Sequence, residues 1–272
     1  RDARLYVDNQ YGLFSAGRMG AMVGGNGPYA RFGHILSPFS CGWGNVGGHL
    51  QVMALGYEYV DNALAWASPK FAGFDATLQY SNGTDAKNFG TGVEGKSSVE
   101  RMYAGALRYT HNDLMVIGGI ERINYAQPSA NDLGRKDAIS YNLGGSYQAG
   151  WAKFYAYGQY FQNYTAAART TTFALPSGVD GWGANVGVDV PVSHGFIKAG
   201  LGYGDFKGSK DSDRTMKTWQ AAVGYLLPLS KRTSLYTAAN YINSRYSDAQ
   251  EAANPKAGKQ VIDVIAGLMH KF

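Results

Sequence analysis

The chain has 272 residues, a formal net charge of +5 and a mean hydropathy of −0.27, with 37 glycines, 20 tyrosines and only 17% charged residues. Charge below the roughly 25% usual in soluble domains, with this much Gly and Tyr, disfavours helices and favours strands joined by tight turns. No apolar run of about 18 residues is present, so a transmembrane helix is excluded; the single Cys41 excludes a disulfide framework or multi-cysteine metal site, and singly scattered Lys and Arg argue against nucleic acid as a partner.

In chain order, thirteen segments of period two begin near Ala3, Leu13, Asn62, Gly73, Arg101, Leu114, Ala138, Trp151, Gly181, Gly195, Thr215, Thr233 and Lys259. The opening RDARLYVDNQ lacks the basic stretch and apolar core of a signal peptide, so the chain is expected to start after processing or partway through a longer protein. In GFDATLQY, Phe74, Ala76, Leu78 and Tyr80 share one face, and Asp75, Thr77 and Gln79 the other. In TWQAAVGYL, Trp219, Ala221, Val223, Tyr225 and Leu227 oppose Gln220 and Gly224. The last segment, VIDVIAGLMHKF, alternates as far as a terminal Phe272, where a soluble domain usually frays in polar residues.

The connections alternate between short and long. Short ones are DNQYG, SPKFA, HND, QAG, SHG and PLSKR; long ones are residues 20–59, 81–100, 126–137, 165–179, 208–214 and 247–259. A soluble sandwich has no reason to alternate in this way. An outer-membrane barrel does, with short periplasmic turns, long extracellular loops and strands of about ten residues. The expected fold is therefore an all-β transmembrane antiparallel barrel forming a single domain over residues 1–272, apolar face to lipid and polar face to the lumen. Aromatics near strand ends (Tyr109, Trp151, Tyr160, Trp182, Trp219, Tyr225) suit interfacial girdles. Single-chain bacterial barrels have even strand numbers, and thirteen is odd, so an odd number of strands is expected before residue 1.

No catalytic constellation emerges. His111 and His194 fall in tight turns, His270 in the terminal segment, and GAMVGGNG lacks the Lys-Ser/Thr of a phosphate loop. His34 and His49 have no metal-ligand spacing, so neither a metal nor a cofactor is expected.

Four stretches, LYVDNQYGLFSAGRMG, DNALAWASPKFAGFDATLQYS, YLLPLSKRTSLYTAANY and the terminal GLMHKF, resemble the general porins of Gram-negative bacteria, the betaproteobacterial type above all. The resemblance spans nearly the whole chain. It implies a homotrimeric barrel of about sixteen strands in outer-membrane lipid. It also implies that Phe272 is the signal read by the barrel-assembly machinery, and that residues 20–59 fold inward as a constriction loop. A link this long is seldom idle. The resemblance further implies that Arg18 faces this loop as part of a basic wall, although strict alternation puts it on the row of Phe14 and Ala16. The chain departs from the family in having no carboxylate over residues 20–57; it offers Arg31, His34 and His49 there, with Glu58 and Asp61 only at the exit. A second arginine expected near Tyr59 and Val60 is also missing.

Alternation assigns Arg108, Lys153, Lys198 and Lys271 to the lumen with Arg18, against Asp75, Asp189 and Asp263. The expected function is passive diffusion of small hydrophilic solutes and ions, without reaction or energy coupling and with a mild anion preference. The alternatives are a solute-specific channel whose loop aromatics Tyr29, Phe32, Phe39 and Trp43 form a binding track, and a plugged barrel acting as enzyme or adhesin.

Overall fold

A computed structural model of the chain describes residues 2–33, 35–83, 100–125, 136–255 and 257–271. The strands are β1 (Ala3–Asn9), β2 (Gly12–Gly20), β3 (Tyr59–Ala67), β4 (Phe74–Ser81), β5 (Arg101–His111), β6 (Leu114–Asn124), β7 (Ala138–Ala149), β8 (Ala152–Ala167), β9 (Phe173–Val192), β10 (Gly195–Gly208), β11 (Thr215–Pro228), β12 (Thr233–Tyr246) and β13 (Gln260–His270). They form one sheet in strict sequence order, and every neighbouring pair is antiparallel. A short helix, α1 (Asp248–Ala253), capped by the Ser247 side chain, bridges β12 and β13. Among the described residues no pairing joins β1 to β13.

Polarity across the sheet is inverted relative to a water-soluble fold. Leu78, Leu143, Val186, Leu201, Val223 and Ile262 are each more than half exposed, while Gln79, Gln159, Asn185, Gln220 and Asn240 are buried on the opposite row. Such a surface is stable only in hydrocarbon, where the apolar row meets lipid and the backbones of adjacent strands pair with each other. Aromatic pairs ring the outside near the long-loop end: Tyr80 with Tyr103, Tyr141 with Tyr160, Trp182 with Tyr203 and Trp219 with Tyr241, at centroid distances of 5.1, 6.5, 5.5 and 5.2 Å. That is the level at which amphipathic rings sit at a membrane interface.

Two strands run further than their sequence pattern indicates. β8 continues to Ala167 and β9 begins at Phe173, so the long connection expected over 165–179 contracts to a five-residue turn, 168–172. Register shifts after Phe161 and Tyr164, with Asn163 at φ 57° and Gly178 at φ 103°, break the alternation on which the sequence reading depends. Each bulge adds a residue to one strand and bends it, which carries this hairpin inward over the lumen.

The outward row gives a direct test. Val223→Arg, on the lipid-facing row of β11, is expected to destabilise the barrel by about 2–4 kcal/mol near the bilayer midplane. Urea unfolding in lipid vesicles measures it, and Val223→Met, which adds bulk at the same place without charge, is the control for a general packing defect.

The in-folded loop and the inner wall

Residues 21–58 leave the top of β2, cross the inside of the sheet and return to β3. Most of the segment is buried: Met22, Tyr29, Phe32, Leu36, Val52 and Met53 form an internal core with Met19, Val60, Met102, Ile117, Tyr157, Phe161 and Phe206 of the wall, and Phe39 packs in a second cluster with Val46, Ala222 and Ala238. An irregular segment inside a barrel needs partners for its own peptide groups. Wall carboxamides supply them, because one such side chain both donates and accepts. Gln79 on β4 accepts from Met22 N (2.9 Å) and donates to Gly20 O (2.9 Å). Gln159 on β8 accepts from Ala54 N (2.9 Å), Gln220 on β11 donates to Gly48 O (2.6 Å), and Asn240 on β12 donates to Asn45 O (3.3 Å). The returning leg also runs beside the end of β8, with Leu55 N donating to Ala166 O and Ala168 N to Met53 O.

Close approach of the loop explains glycine on the inner row. A Cβ at Gly183 of β9 would lie 1.9 Å from Val52 O, and one at Gly144 of β7 would lie 2.4 Å from Leu36 Cδ1. Three of the four loop aromatics expected to form a track, Tyr29, Phe32 and Phe39, are buried in this packing. Trp43 is half-buried, edge-on to Phe39 and Tyr236, with Lys198 Nζ 5.9 Å from its ring centre.

The residues expected at the constriction do not form one group. Arg18 pairs in register with Ala3 on the outward row, ends in an ion pair with Asp61 (2.6 Å) and lies over the Tyr59 ring. This corrects its expected position on the wall facing the loop: alternation holds as far as Arg18, and the register shift between Gly17 and Met19 does not turn it inward. Glu58 pairs instead with Arg169, just beyond β8. Arg31 is buried against β4, donating from Nε to Thr77 Oγ1 (2.9 Å) and from Nη1 to Pro28 O (2.7 Å). Burial, then Arg108, lowers its pKa, and Asp75 pulls it back up; a guanidinium stays charged regardless. His49 is buried beside Tyr157 with no hydrogen-bond partner on either ring nitrogen among the described residues, and burial followed by Arg169 brings its pKa down to about 3. It is therefore a neutral packing group. Burial pushes the Cys41 thiol up to about 11. His34 and Phe272 lie outside the described residues.

The residues expected to line the lumen fall into two groups near the short-turn end. Arg108 on β5 pairs with Asp75 on β4 (2.9 Å). Lys198 on β10 pairs with Asp189 on β9 (2.7 Å), Tyr155 donates to the other carboxylate oxygen (2.8 Å), and Lys153 stands in register on the far side of Asp189. Asp263 faces Asn240 on the inner row of β13, and Lys271 lies exposed just beyond that strand, its backbone N donating to Arg232 O. Among the inner residues that escaped the sequence reading are Arg4, Tyr6 and Asp8 of β1, opposite Gly17, Ser15 and Leu13. Their alternation with Leu5 and Val7 was the available signal. Arg169 had none, since it sits in the turn beyond a bulged strand.

A lipid-facing wall paired antiparallel from strand to strand, with a long loop folded against its polar inside, defines a transmembrane β-barrel of the outer membrane. The chain belongs to the Gram-negative porin family, whose family model matches residues 1–247. It is 26% identical to an outer membrane porin protein of Bordetella pertussis, over 89% of this chain and 65% of that protein, so it spans just under two thirds of that relative's length. In fold it is similar to the anion-selective porin from Comamonas acidovorans (TM-score 0.69, 20% identity, 99% of this chain and 77% of that one). It is likewise similar to OmpT of Vibrio cholerae (TM-score 0.61, 14% identity, 98% and 80%). The bacterial outer membrane is accordingly where this barrel resides.

The buried imidazole makes the loop's seat pH-dependent. His49 binds a proton near 6.5 when free and near 3 when packed, so the undocked loop holds more protons between those values and docking weakens as pH falls from about 6.5 toward 3. Thermal unfolding across that range is expected to show a loss of stability that His49→Leu reduces.

Proposed function

We propose that the protein is a passive channel for small hydrophilic solutes and ions, with a mild preference for anions. One observation carries the reading: the wall is apolar outside and polar inside, and a long loop narrows the inside. The loop carries no carboxylate over residues 20–57, which suits diffusion by size more than capture of one solute.

Likeness in fold to the anion-selective porin from Comamonas acidovorans supports the anion preference, and family membership supports a homotrimer in outer-membrane lipid with Phe272 read by the barrel-assembly machinery. The chemistry belongs to transport: no step calls for a metal, a cofactor or a nucleophile. Burial of Tyr29, Phe32 and Phe39 counts against an aromatic binding track, and only Trp43 of the four keeps partial solvent exposure.

Liposome swelling with neutral sugars of increasing size tests this function. Flux linear in concentration and falling smoothly with solute size is expected. Saturation at low concentration would favour a solute-specific channel, and no swelling from folded protein would favour the plugged barrel.

A further inference from the structure

The charges of the inner wall are grouped, and the groups are unbalanced. Asp75 is shared by Arg108, its partner at 2.9 Å, and by Arg31, which reaches β4 from the loop. Arg31 lies within electrostatic reach of both, with hydrogen bonds only to neutral oxygens among the described residues. On the other side Asp189 stands in register between Lys153 on β8 and Lys198 on β10. Its two oxygens are taken by Lys198 Nζ (2.7 Å) and by the Tyr155 hydroxyl (2.8 Å). Lys153 has no carboxylate within ion-pair distance among the described residues; its Nζ rests 5.0 Å from the centre of the Tyr155 ring.

Each group therefore holds two cations and one carboxylate. A second cation beside a satisfied ion pair adds like-charge repulsion. It also leaves a fixed positive potential, strengthened by the low-dielectric wall behind it. The loop carries no compensating acid: residues 20–57 contain no Asp or Glu. At the opposite end of the lumen Glu58 is matched by Arg169, and Arg18 is matched by Asp61 on the outward row.

We propose that anion selection is carried by these two groups, Arg31–Arg108–Asp75 and Lys153–Lys198–Asp189, and not by an arginine wall facing an acidic loop. Inorganic and small organic anions are drawn to the short-turn half of the lumen, where Lys153 is the cation most free to meet them. Asp75 and Asp189 limit the preference and keep it mild. This rests on the channel reading above and assigns its selectivity to named side chains.

The test is the reversal potential of the reconstituted full chain under a KCl gradient near 0.1 M, where the screening length is about 10 Å, repeated near 1 M, where it is about 3 Å. Three variants are compared with the wild type. Lys153→Met keeps the stem over Tyr155 and removes the charge; Asp189→Asn and Asp75→Asn remove one carboxylate each. The wild type is expected to favour chloride, Lys153→Met to lower the chloride-to-potassium permeability ratio by roughly twofold, and both Asn variants to raise it, all three effects shrinking at high salt. A wild type that does not conduct overturns the channel reading itself; one that conducts but favours potassium keeps the channel and overturns this assignment. A chloride-selective wild type whose ratio is unmoved by Lys153→Met and Asp189→Asn, but falls with Arg18→Gln, overturns this assignment and leaves the channel reading standing. If Lys153→Met fails to fold, Asp189→Asn decides by the direction of its shift alone.

Discussion

Backbone peptide groups have no water to turn to inside a bilayer, and the whole structure follows from that. The strands answer by pairing with their neighbours in sequence order. The in-folded loop cannot pair that way, because its path is irregular and it crosses the interior. It is held by the long amides of the wall, Gln79, Gln159, Gln220 and Asn240, each aimed at a loop peptide group. A hydroxyl or a charge at those positions would serve less well. A carboxamide meets a peptide as another peptide would, donor to acceptor, without the desolvation cost of an ion.

The same constraint shapes the packing. With lipid outside, burial against the outer row gains nothing over solvation by hydrocarbon, so the packed core has moved inside. It is built from loop side chains against the small residues of the inner row. Gly144 and Gly183 are there to let backbone and Leu36 approach, and the positive charge of Arg31 is carried in on the loop and lodged beside an existing ion pair. Packing and electrostatics thus meet on one element: the loop that narrows the lumen also brings one of its two surplus charges.

Much of the fold was legible because a period of two survives in almost every strand. Eleven of the thirteen expected strand starts fall within two residues of those observed, and Tyr59 is three before its expectation. Gly181 failed: β9 begins at Phe173, since bulges near Asn163 and Tyr164 erase alternation where β8 and β9 run past the others. The inward direction of Asp75, Arg108, Asp189 and Lys198 was legible for the same reason. Arg18 is instructive, since its own alternation pointed outward and family resemblance pointed inward, and the register sides with alternation. The loop's seating was not legible at all. Nothing in a run such as HILSPFSCGWGNVGGHLQVMA announces which backbone groups meet which wall amides, because those contacts join residues up to 195 positions apart.

The central claim is that this loop is packed against the wall and not merely suspended in the lumen. Cys41, the only cysteine of the chain, reports on it directly: it is buried, its thiol faces Gly25 O and Asn26 Oδ1, and its pKa near 11 keeps it from the thiolate form. The decisive measurement is the rate at which a membrane-impermeant maleimide labels Cys41 in vesicles. Labelling is predicted to be slow in the wild type and fast in Gly183→Val, whose side chain displaces the loop at Val52. Fast labelling of the folded wild type, equal to that of the variant, would contradict the packed loop and the account built on it.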